Sequence, residues 1–451
     1  MNGLTGKRIL ILGLARQGTA LARFLVQQGA NVVVSDLRPA AQLRDPLEQV
    51  ADLPLDLVLG GHPPTLLEGA EMLCLSGGVP VEAPIVQQAV AHGIPLSNDS
   101  QFFLEACPAV MIGITGSAGK TTTTALAGEM CKAAGRRTWV GGNIGRSMLP
   151  DLEQIQPDDL VVMELSSFQL EIMTRSPAVG AILNLTPNHL DRHKTMAAYS
   201  AAKARLLQYQ PAGSLALLGQ DDPGAWALRS QAHGRLRTFS LQNQVADGAF
   251  LHNQMVTVRQ PEGTQPICRV DELQLRGRHN VLNVLAAAVL ADSVGVPADA
   301  IAQVARTFSG VEHRLELVRE WGGARWYDDS IATAPERTMA ALRSFDGPMV
   351  LLAGGRDKKL PWEKAAALIQ ERVRAVVLFG EAADLIHGHL QAGGQLQQVV
   401  PVKGVEQAVD TAARLARPGD VILLSPGGAS FDAYQDFAQR GDHFQELVRE
   451  L

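Results

Sequence analysis

Short β-branched runs ending in Gly, Ser or Asp alternate with Ala- and Leu-rich stretches of helical spacing in three parts of the chain, which is the pattern of parallel α/β units. Residues 7–14 predict a buried strand, 17–29 a helix closed by its glycine, and 31–36 a second strand, so a mononucleotide-binding βαβ unit opens the chain. The pattern restarts at 109–115, where a glycine-rich turn leads into a helix from Lys120. It restarts again at 325–328 and continues through 349–354, 373–380 and 421–425. Residues 240–272 are polar, glycine-containing and weakly alternating, and predict short antiparallel strands inserted in the middle domain. The predicted fold class is α/β in three domains. These are a Rossmann-like N-terminal domain (1–107), a central P-loop-type ATPase domain with a mainly parallel sheet (108–311) and a Rossmann-like C-terminal domain (312–451).

Composition narrows what such a chain binds. Its 451 residues suffice for roughly two to four domains, and 46% hydrophobic with 19% charged residues is a globular balance. The 40 Lys and Arg against 46 Asp and Glu give a net charge of −6, with no footprint for duplex nucleic acid or anionic lipid. A small-molecule partner is expected. Cysteines at 74, 107, 131 and 268 form no C-x-x-C pair, so neither a zinc knuckle nor a disulfide framework is written here, and a reducing cytoplasm fits. No apolar run reaches the roughly 18 to 20 residues of a membrane-spanning helix.

The strongest chemical signal is Gly113-Ile114-Thr115-Gly116-Ser117-Ala118-Gly119-Lys120-Thr121-Thr122, placed between an apolar strand and an alanine-rich helix. Backbone N–H groups of Gly116, Ser117, Ala118 and Gly119 can close on phosphate oxygens, Lys120 can reach the outer phosphates, and Thr121 can ligate Mg²⁺. The loop is a variant, since the first glycine of the general pattern falls on Ile114. Glu164 ends the predicted strand 160–163, where a carboxylate can hold the Mg²⁺ that bridges phosphates, although taken alone it reads as a solvated strand end. Asn184 to His193 crowd polar groups behind another strand, and His189 there can ligate metal or touch phosphate. Lys203 reads from the sequence as a plain helix-surface lysine. In the first domain Ala15 stands where a dinucleotide fingerprint needs glycine, which counts against NAD; Asp36 and Arg38 can still receive a ribose or a base.

Further motifs join these: Glu-Leu-Ser-Ser-Phe-Gln-Leu at 164–170, Asn-His-Leu-Asp-Arg-His at 188–193, Ala-Ala-Lys-Ala-Arg at 201–205 and Arg-His-Asn at 278–280. With Gly-Gly-Asn-Ile-Gly at 141–145 and Leu-Leu-Ser-Pro-Gly-Gly-Ala-Ser-Phe-Asp at 423–432, the chain resembles the Mur ligase family across all three domains. The resemblance is greatest to members that add D-glutamate to UDP-N-acetylmuramoyl-L-alanine in peptidoglycan synthesis. It implies a cytoplasmic, monomeric enzyme in which ATP phosphorylates the substrate carboxylate. The amine of glutamate then attacks the acyl phosphate through a tetrahedral intermediate, releasing ADP and phosphate.

By resemblance Lys120, Thr121 and Thr122 hold ATP phosphates and Mg²⁺, Glu164 and His189 serve the metal and phosphates, and Lys203 matches a carbamylated, metal-binding lysine. Asn280 and Asn283 are implied near the base, and Arg314 and Asp329 near phosphates and ribose, so the third domain is expected to close on the second. Leu14, Arg16, Asp36, Arg38, Gly78, Asn143 and His189 are implied along the uridine nucleotide and its sugar, and Thr333, Lys358, Ser430 and Phe431 around the acceptor. One position departs. The family usually reads Asp-Ser-Lys-Ala-Thr where this chain reads Asp329-Ser330-Ile331-Ala332-Thr333, so a cation that faces the acceptor carboxylate is missing. L-glutamate is therefore an alternative acceptor. An oxidoreductase resting on the first βαβ unit and a non-catalytic ATP-binding regulator are rival readings from other classes.

Overall fold

The computed structural model describes residues 3–143, 147–261, 263–275, 277–357, 360–393 and 398–451. Lys358, and Ile144 and Gly145 of the 141–145 motif, lie outside the described residues. The chain divides into two compact units, Met1–Phe308 and Ser309–Leu451.

The first unit contains two sheets. Strands β1 (Arg8–Leu12), β2 (Asn31–Asp36), β3 (Asp56–Leu59), β4 (Met72–Leu75) and β5 (Leu96–Ser97) pair in the order β3-β2-β1-β4-β5, all parallel. The order reverses direction at β1, which puts a ligand crevice at the carboxyl ends of β1 and β4. The second sheet consists of β6 (Val110–Thr115), β7 (Thr138–Gly142), β8 (Leu160–Glu164), β9 (Val179–Ile182), β10 (Leu215–Gly219), β11 (Arg235–Ser240), β12 (Gly248–His252), β13 (Met255–Gln260) and β14 (Gly263–Arg269). Their order is β14-β13-β12-β11-β10-β9-β6-β8-β7. β12 continues the parallel part beside β11, while β13 and β14 are antiparallel, so the polar 240–272 stretch extends the sheet's edge.

Alternation along the central strands feeds two cores. Val161 and Met163 of β8 join Ile9, Ile11 and Val34 of the first sheet through Phe102 and Phe103. Leu160 and Val162 point the other way, with Ile112 and Ile114 of β6, onto the helices Lys120–Ala133 and Arg278–Ser293. The second of these helices is apolar nearly all round from Val284 to Ala291 because it is enclosed on all sides, and it packs directly on the Lys120–Ala133 helix. That packing is what brings Asn283 to the glycine-rich loop. Among the described residues no helix is long and apolar enough to cross a membrane.

The second unit is a six-stranded sheet of β15 (Glu316–Trp321), β16 (Ala324–Asp328), β17 (Met349–Gly354), β18 (Val373–Phe379), β19 (Val399–Pro401) and β20 (Val421–Gly427). The order is β15-β16-β20-β17-β18-β19, parallel except for the β15/β16 hairpin. The three-domain α/β architecture predicted from the strand restarts is thus present, each domain having a sheet of its own.

Candidate active site

At the carboxyl end of β6 the chain turns through 116–119 into the Lys120–Ala133 helix. Gly119 adopts the left-handed region at φ +82°, and a Cβ there would collide with the Asn283 carboxamide oxygen. Asn184, which follows β9, braces the same loop. Its Oδ1 accepts from Ser117 N at 3.0 Å and Ala118 N at 2.8 Å, and its Nδ2 donates to Ala118 O at 3.0 Å. The N–H groups of Ser117 and Ala118 are therefore turned to Asn184. The Lys120–Ala133 helix begins directly after this braced loop, so the positive end of its dipole opens at the carboxyl end of β6. Lys120 Nζ lies across the loop, donating to Gly116 O at 3.0 Å and Ser117 O at 3.4 Å.

At the end of β8, the strand paired directly with β6, Glu164 is buried, contrary to the solvated strand end that its sequence context suggests. Thr121 Oγ1 donates to Glu164 Oε2 at 2.8 Å and Asn143 Nδ2 to Glu164 Oε1 at 2.8 Å, so both carboxylate oxygens are held by polar groups. The strand ends in a capping box, in which Ser166 and Gln169 satisfy each other's backbone, and this starts the short Ser167–Leu170 helix.

Lys203 is the clearest correction to the sequence reading. It is 2% exposed, one of the largest fully buried side chains, and not a surface lysine. The helix Met196–Gln208 turns Tyr199, Ala202, Lys203 and Leu206 inward together. Lys203 Nζ donates to Thr115 Oγ1 at 3.0 Å and lies 5.0 Å from the Tyr199 ring centroid, and Thr115 Oγ1 donates in turn to Leu165 O at 2.7 Å. Burial first, and then the charge of Lys120, push the Lys203 amine well below the usual lysine range, with Glu164 opposing them. Tyr199, whose hydroxyl meets Ser117 Oγ at 3.0 Å, is a site residue that motif reading missed, although its place one helical turn before Lys203 signals it. His189 is exposed, in the left-handed region at φ +53°, with its ring edge-on to Phe168 at 5.1 Å. Asn280 Oδ1 accepts from Asn283 Nδ2 at 3.0 Å, so the pair expected near the base sits together beside Gly119.

In the first sheet's crevice Asp36 is less open to a ligand than its position suggests. Oδ2 accepts from Leu14 N and Arg38 Nη2, both at 2.8 Å, and Oδ1 accepts from Arg38 N at 2.9 Å and Nε at 3.0 Å. Burial pushes this carboxyl up, but the bonds from Arg38 and Leu14 outweigh it and hold it below the usual range. Asp36 thus aims Arg38, whose half-exposed guanidinium plane is the group presented to solvent. Arg16 opens the Arg16–Gln27 helix, and Gly78 lies in the turn after β4. A cavity in this unit is lined by Gln17, Ser76, Asn98, Asp99, Gln169 and Glu171, among others. Burial pushes Asp99 up to about 6 and Glu171 up to about 7.

The second unit gathers its candidates at the carboxyl ends of β16 and β20. Asp329 is buried, accepts from Ser425 Oγ at 2.7 Å and is pushed by burial up to about 7, with the Ser425 bond and Arg314 opposing. Arg440, absent from the sequence reading, is fully buried and bolts two loops together. It donates to Ser330 Oγ and O at 3.0 and 2.8 Å, and to Gly428 O and Ala429 O, both at 3.2 Å. One of those loops carries Thr333 and the other Ser430 and Phe431. Ser430 is buried, whereas Phe431 is 55% exposed.

The chain matches three family models: "Mur ligase MurD-like, N-terminal domain" at residues 7–98, "Mur ligase middle domain" at 114–291 and "Mur ligase, glutamate ligase domain" at 313–428. It is 39% identical over 452 residues to the UDP-N-acetylmuramoylalanine--D-glutamate ligase of Pelotomaculum thermopropionicum, covering 100% of this chain and 99% of the relative. It is also 39% identical over 447 residues to the protein of the same name from Symbiobacterium thermophilum, covering 99% and 98%. Among solved structures, UDP-N-acetylmuramate-alanine ligase MurC from Thermotoga maritima aligns with a TM-score of 0.54 at 19% identity, covering 98% of this chain and 99% of that one. A murein peptide ligase from Psychrobacter arcticus aligns with the same TM-score, 0.54, at 17% identity over 99% of each chain. These structures establish the fold.

The raised pKa of Asp99 sets a pH dependence. Its folded value of about 6 exceeds the usual 3.8, so the folded state holds the proton more tightly. The stability that this contributes is complete below pH ~4 and is lost as the pH rises through ~6. Denaturant unfolding of Asp99→Asn should therefore lose less stability than the wild type between pH 5 and 8, by roughly 1–2 kcal/mol. Parallel pH profiles for the two proteins would contradict the assignment.

Proposed function

The chain belongs to the Mur ligase family, and from that premise we propose how its residues divide the work of the reaction. It is an ATP-dependent, amide-forming ligase that adds D-glutamate to UDP-N-acetylmuramoyl-L-alanine in the synthesis of peptidoglycan precursors. A terminal carboxylate oxygen of the alanyl group attacks the γ-phosphorus of ATP. The glutamate amine then displaces phosphate from the acyl carbon, passing through a tetrahedral intermediate. The first step brings an anion to an anion, so it needs positive charge at the transferring group; the second needs water kept from the acyl phosphate.

The observation that carries the assignment of roles is the cluster at the ends of β6 and β8: Thr121 on Glu164 at 2.8 Å, Lys120 across its loop, and Lys203 buried behind them. Lys120 and the first N–H groups of its helix supply positive charge to the β- and γ-phosphates. A hydroxyl and a carboxylate already in contact are hard oxygen donors suited to Mg²⁺, so Thr121 and Glu164 would hold it, with His189 at the edge of the same region. Bound there, the ion would offset charge on the phosphate oxygens. Lys203 fits the carbamylated role because a neutral amine is what reacts with CO₂. Its nitrogen lone pair forms the N–C bond, a proton leaves, and the neutral amine becomes an anion within the field of Glu164.

The exposed face of Arg38, fixed by Asp36, is the group for the uracil ring, and residues 1–107 form the uridine-nucleotide domain. Leu14, Arg16, Gly78 and Asn143 are assigned to the nucleotide and its sugar. Thr333, Lys358, Ser430 and Phe431 are the acceptor contacts. We place the enzyme in the cytoplasm as a monomer, acting on a soluble nucleotide-linked substrate. Ile331 is what keeps L-glutamate in view as an alternative acceptor.

Phosphate release measured with UDP-N-acetylmuramoyl-L-alanine and ATP should require D-glutamate, with L-glutamate and no acceptor near background. Equal or faster turnover with L-glutamate would reverse the stereochemical assignment. Lys120→Ala should lower kcat by at least about 10²-fold while leaving the unfolding transition in place, and persistent turnover would refute its role. For Lys203, incubation with ¹³C-bicarbonate should give a carbamate carbon resonance that Lys203→Ala lacks. The same signal in both proteins would remove the modification from this site.

A further inference from the structure

The ligation needs one substrate to be held at both ends. Its nucleotide belongs in the crevice at the carboxyl ends of β1 and β4, and its carboxylate has to meet ATP at the end of β6. Whatever joins these two sheets therefore sets the reach that the substrate must match, and a misplacement of about 1 Å at the reacting atoms is costly in rate.

Arg192 makes such a join. It lies in the short helix Leu190–His193 that follows β9, and its Nη2 donates to Val79 O at 2.8 Å. Val79 belongs to the turn after β4 that also carries Gly78, closed by Val79 N on Ser76 O at 2.9 Å. The same Nη2 meets Glu171 Oε1 at 3.3 Å, just past the Ser167–Leu170 helix. The guanidinium carbon stands 4.6 Å from the ring centroid of Phe168 in that helix. Phe168 in turn stacks with His193 at 5.3 Å and takes the His189 ring edge-on at 5.1 Å, while His193 Nε2 meets Ser167 Oγ at 2.9 Å. One side chain thus connects the first sheet's turn to the segments that follow β8 and β9 of the second sheet.

This is not a surface ion pair. The Arg192 side chain is 16% exposed, and among the described residues its buried Nε has no hydrogen-bond partner. A guanidinium donor left unsatisfied costs stability, so stability alone does not account for the residue. Its planar fork and its stack on Phe168 fix the direction of Nη2, which a flexible ammonium would not.

We propose that Arg192 is a positioning residue for the nucleotide-linked substrate: by pinning the turn at Val79 to the platform of Phe168 and His189, it sets the distance between the nucleotide crevice and the phosphoryl-transfer cluster. It acts through that turn and that platform. The inference rests on the ligase reading above and adds to it the element that gauges the length of the substrate.

Calorimetric titration of the full-length chain with UDP and with UDP-N-acetylmuramoyl-L-alanine, beside initial rates with each substrate varied, tests it. UDP ends before the sugar that crosses to the second sheet, whereas the whole substrate must span both. Arg192→Ala should weaken binding of UDP-N-acetylmuramoyl-L-alanine by about ten- to hundredfold and raise its KM in proportion, with UDP affinity and the ATP KM unchanged. Arg192→Lys, which keeps a donor but not the fork, should fall between the two proteins. Equal losses for UDP and the whole substrate, equal rises in every KM, or no loss at all would overturn the inference while leaving the ligase reading intact. If Arg192→Ala does not fold, Arg192→Lys is judged by the same comparison. A wild-type chain that neither binds UDP-N-acetylmuramoyl-L-alanine nor releases phosphate with it would instead remove the ligase reading, and this inference with it.

Discussion

The site is organised by the burial of a lysine amine that, among the described residues, no carboxylate neutralises directly. Lys203 Nζ rests on a threonine hydroxyl beside the Tyr199 ring and within the field of Lys120. A charged ammonium there would bear the desolvation of an interior site and the repulsion of a second cation, so the neutral form is favoured. The same constraint leaves the amine's lone pair more available as a nucleophile. The surrounding hydrogen bonds are local to the sheet: Thr115 to the carbonyl of Leu165, Asn143 N to the carbonyl of Glu164, Thr121 to the Glu164 carboxylate. Three neighbouring strands therefore fix the cluster through their backbones, and small errors of side-chain position are not left to flexible loops.

The second unit uses a different device for the same purpose. Arg440 is buried among backbone carbonyls, where its delocalised charge is spread over several acceptors. Burial lowers its pKa to about 10, still above any working pH, so the bolt stays charged. Loops that follow β16 and β20 are thereby tied at a common point.

How much of this the sequence announced depends on whether the signal was periodic or three-dimensional. Strands 31–36 and 349–354 were predicted to the residue, because apolar runs bounded by polar punctuation leave little choice of register. The helix starting at Lys120 was equally legible from its glycines. The burial of Lys203 was not, because residue type was given more weight than spacing. Tyr199, Ala202 and Leu206 flank it at helical intervals and place it on the inward face. Asp36 was read as a ligand contact, and four N–H donors from Leu14 and Arg38 show it engaged in positioning its neighbour. Arg440 carried no readable signal, since its partners are carbonyls from two loops distant in sequence. The β12 strand was expected to be antiparallel with its neighbours and is parallel to β11, a choice made by pairing partners that alternation alone does not identify.

All of these roles converge on the passage of a phosphoryl group from ATP to a substrate carboxylate before the amide forms. Supplying UDP-N-acetylmuramoyl-L-alanine with ¹⁸O in its free carboxylate, and weighing the phosphate released after complete conversion with D-glutamate, follows that passage atom by atom. The account predicts one ¹⁸O in every released phosphate, because the oxygen that attacks phosphorus leaves the acyl carbon with it. Phosphate carrying only ¹⁶O would contradict the account.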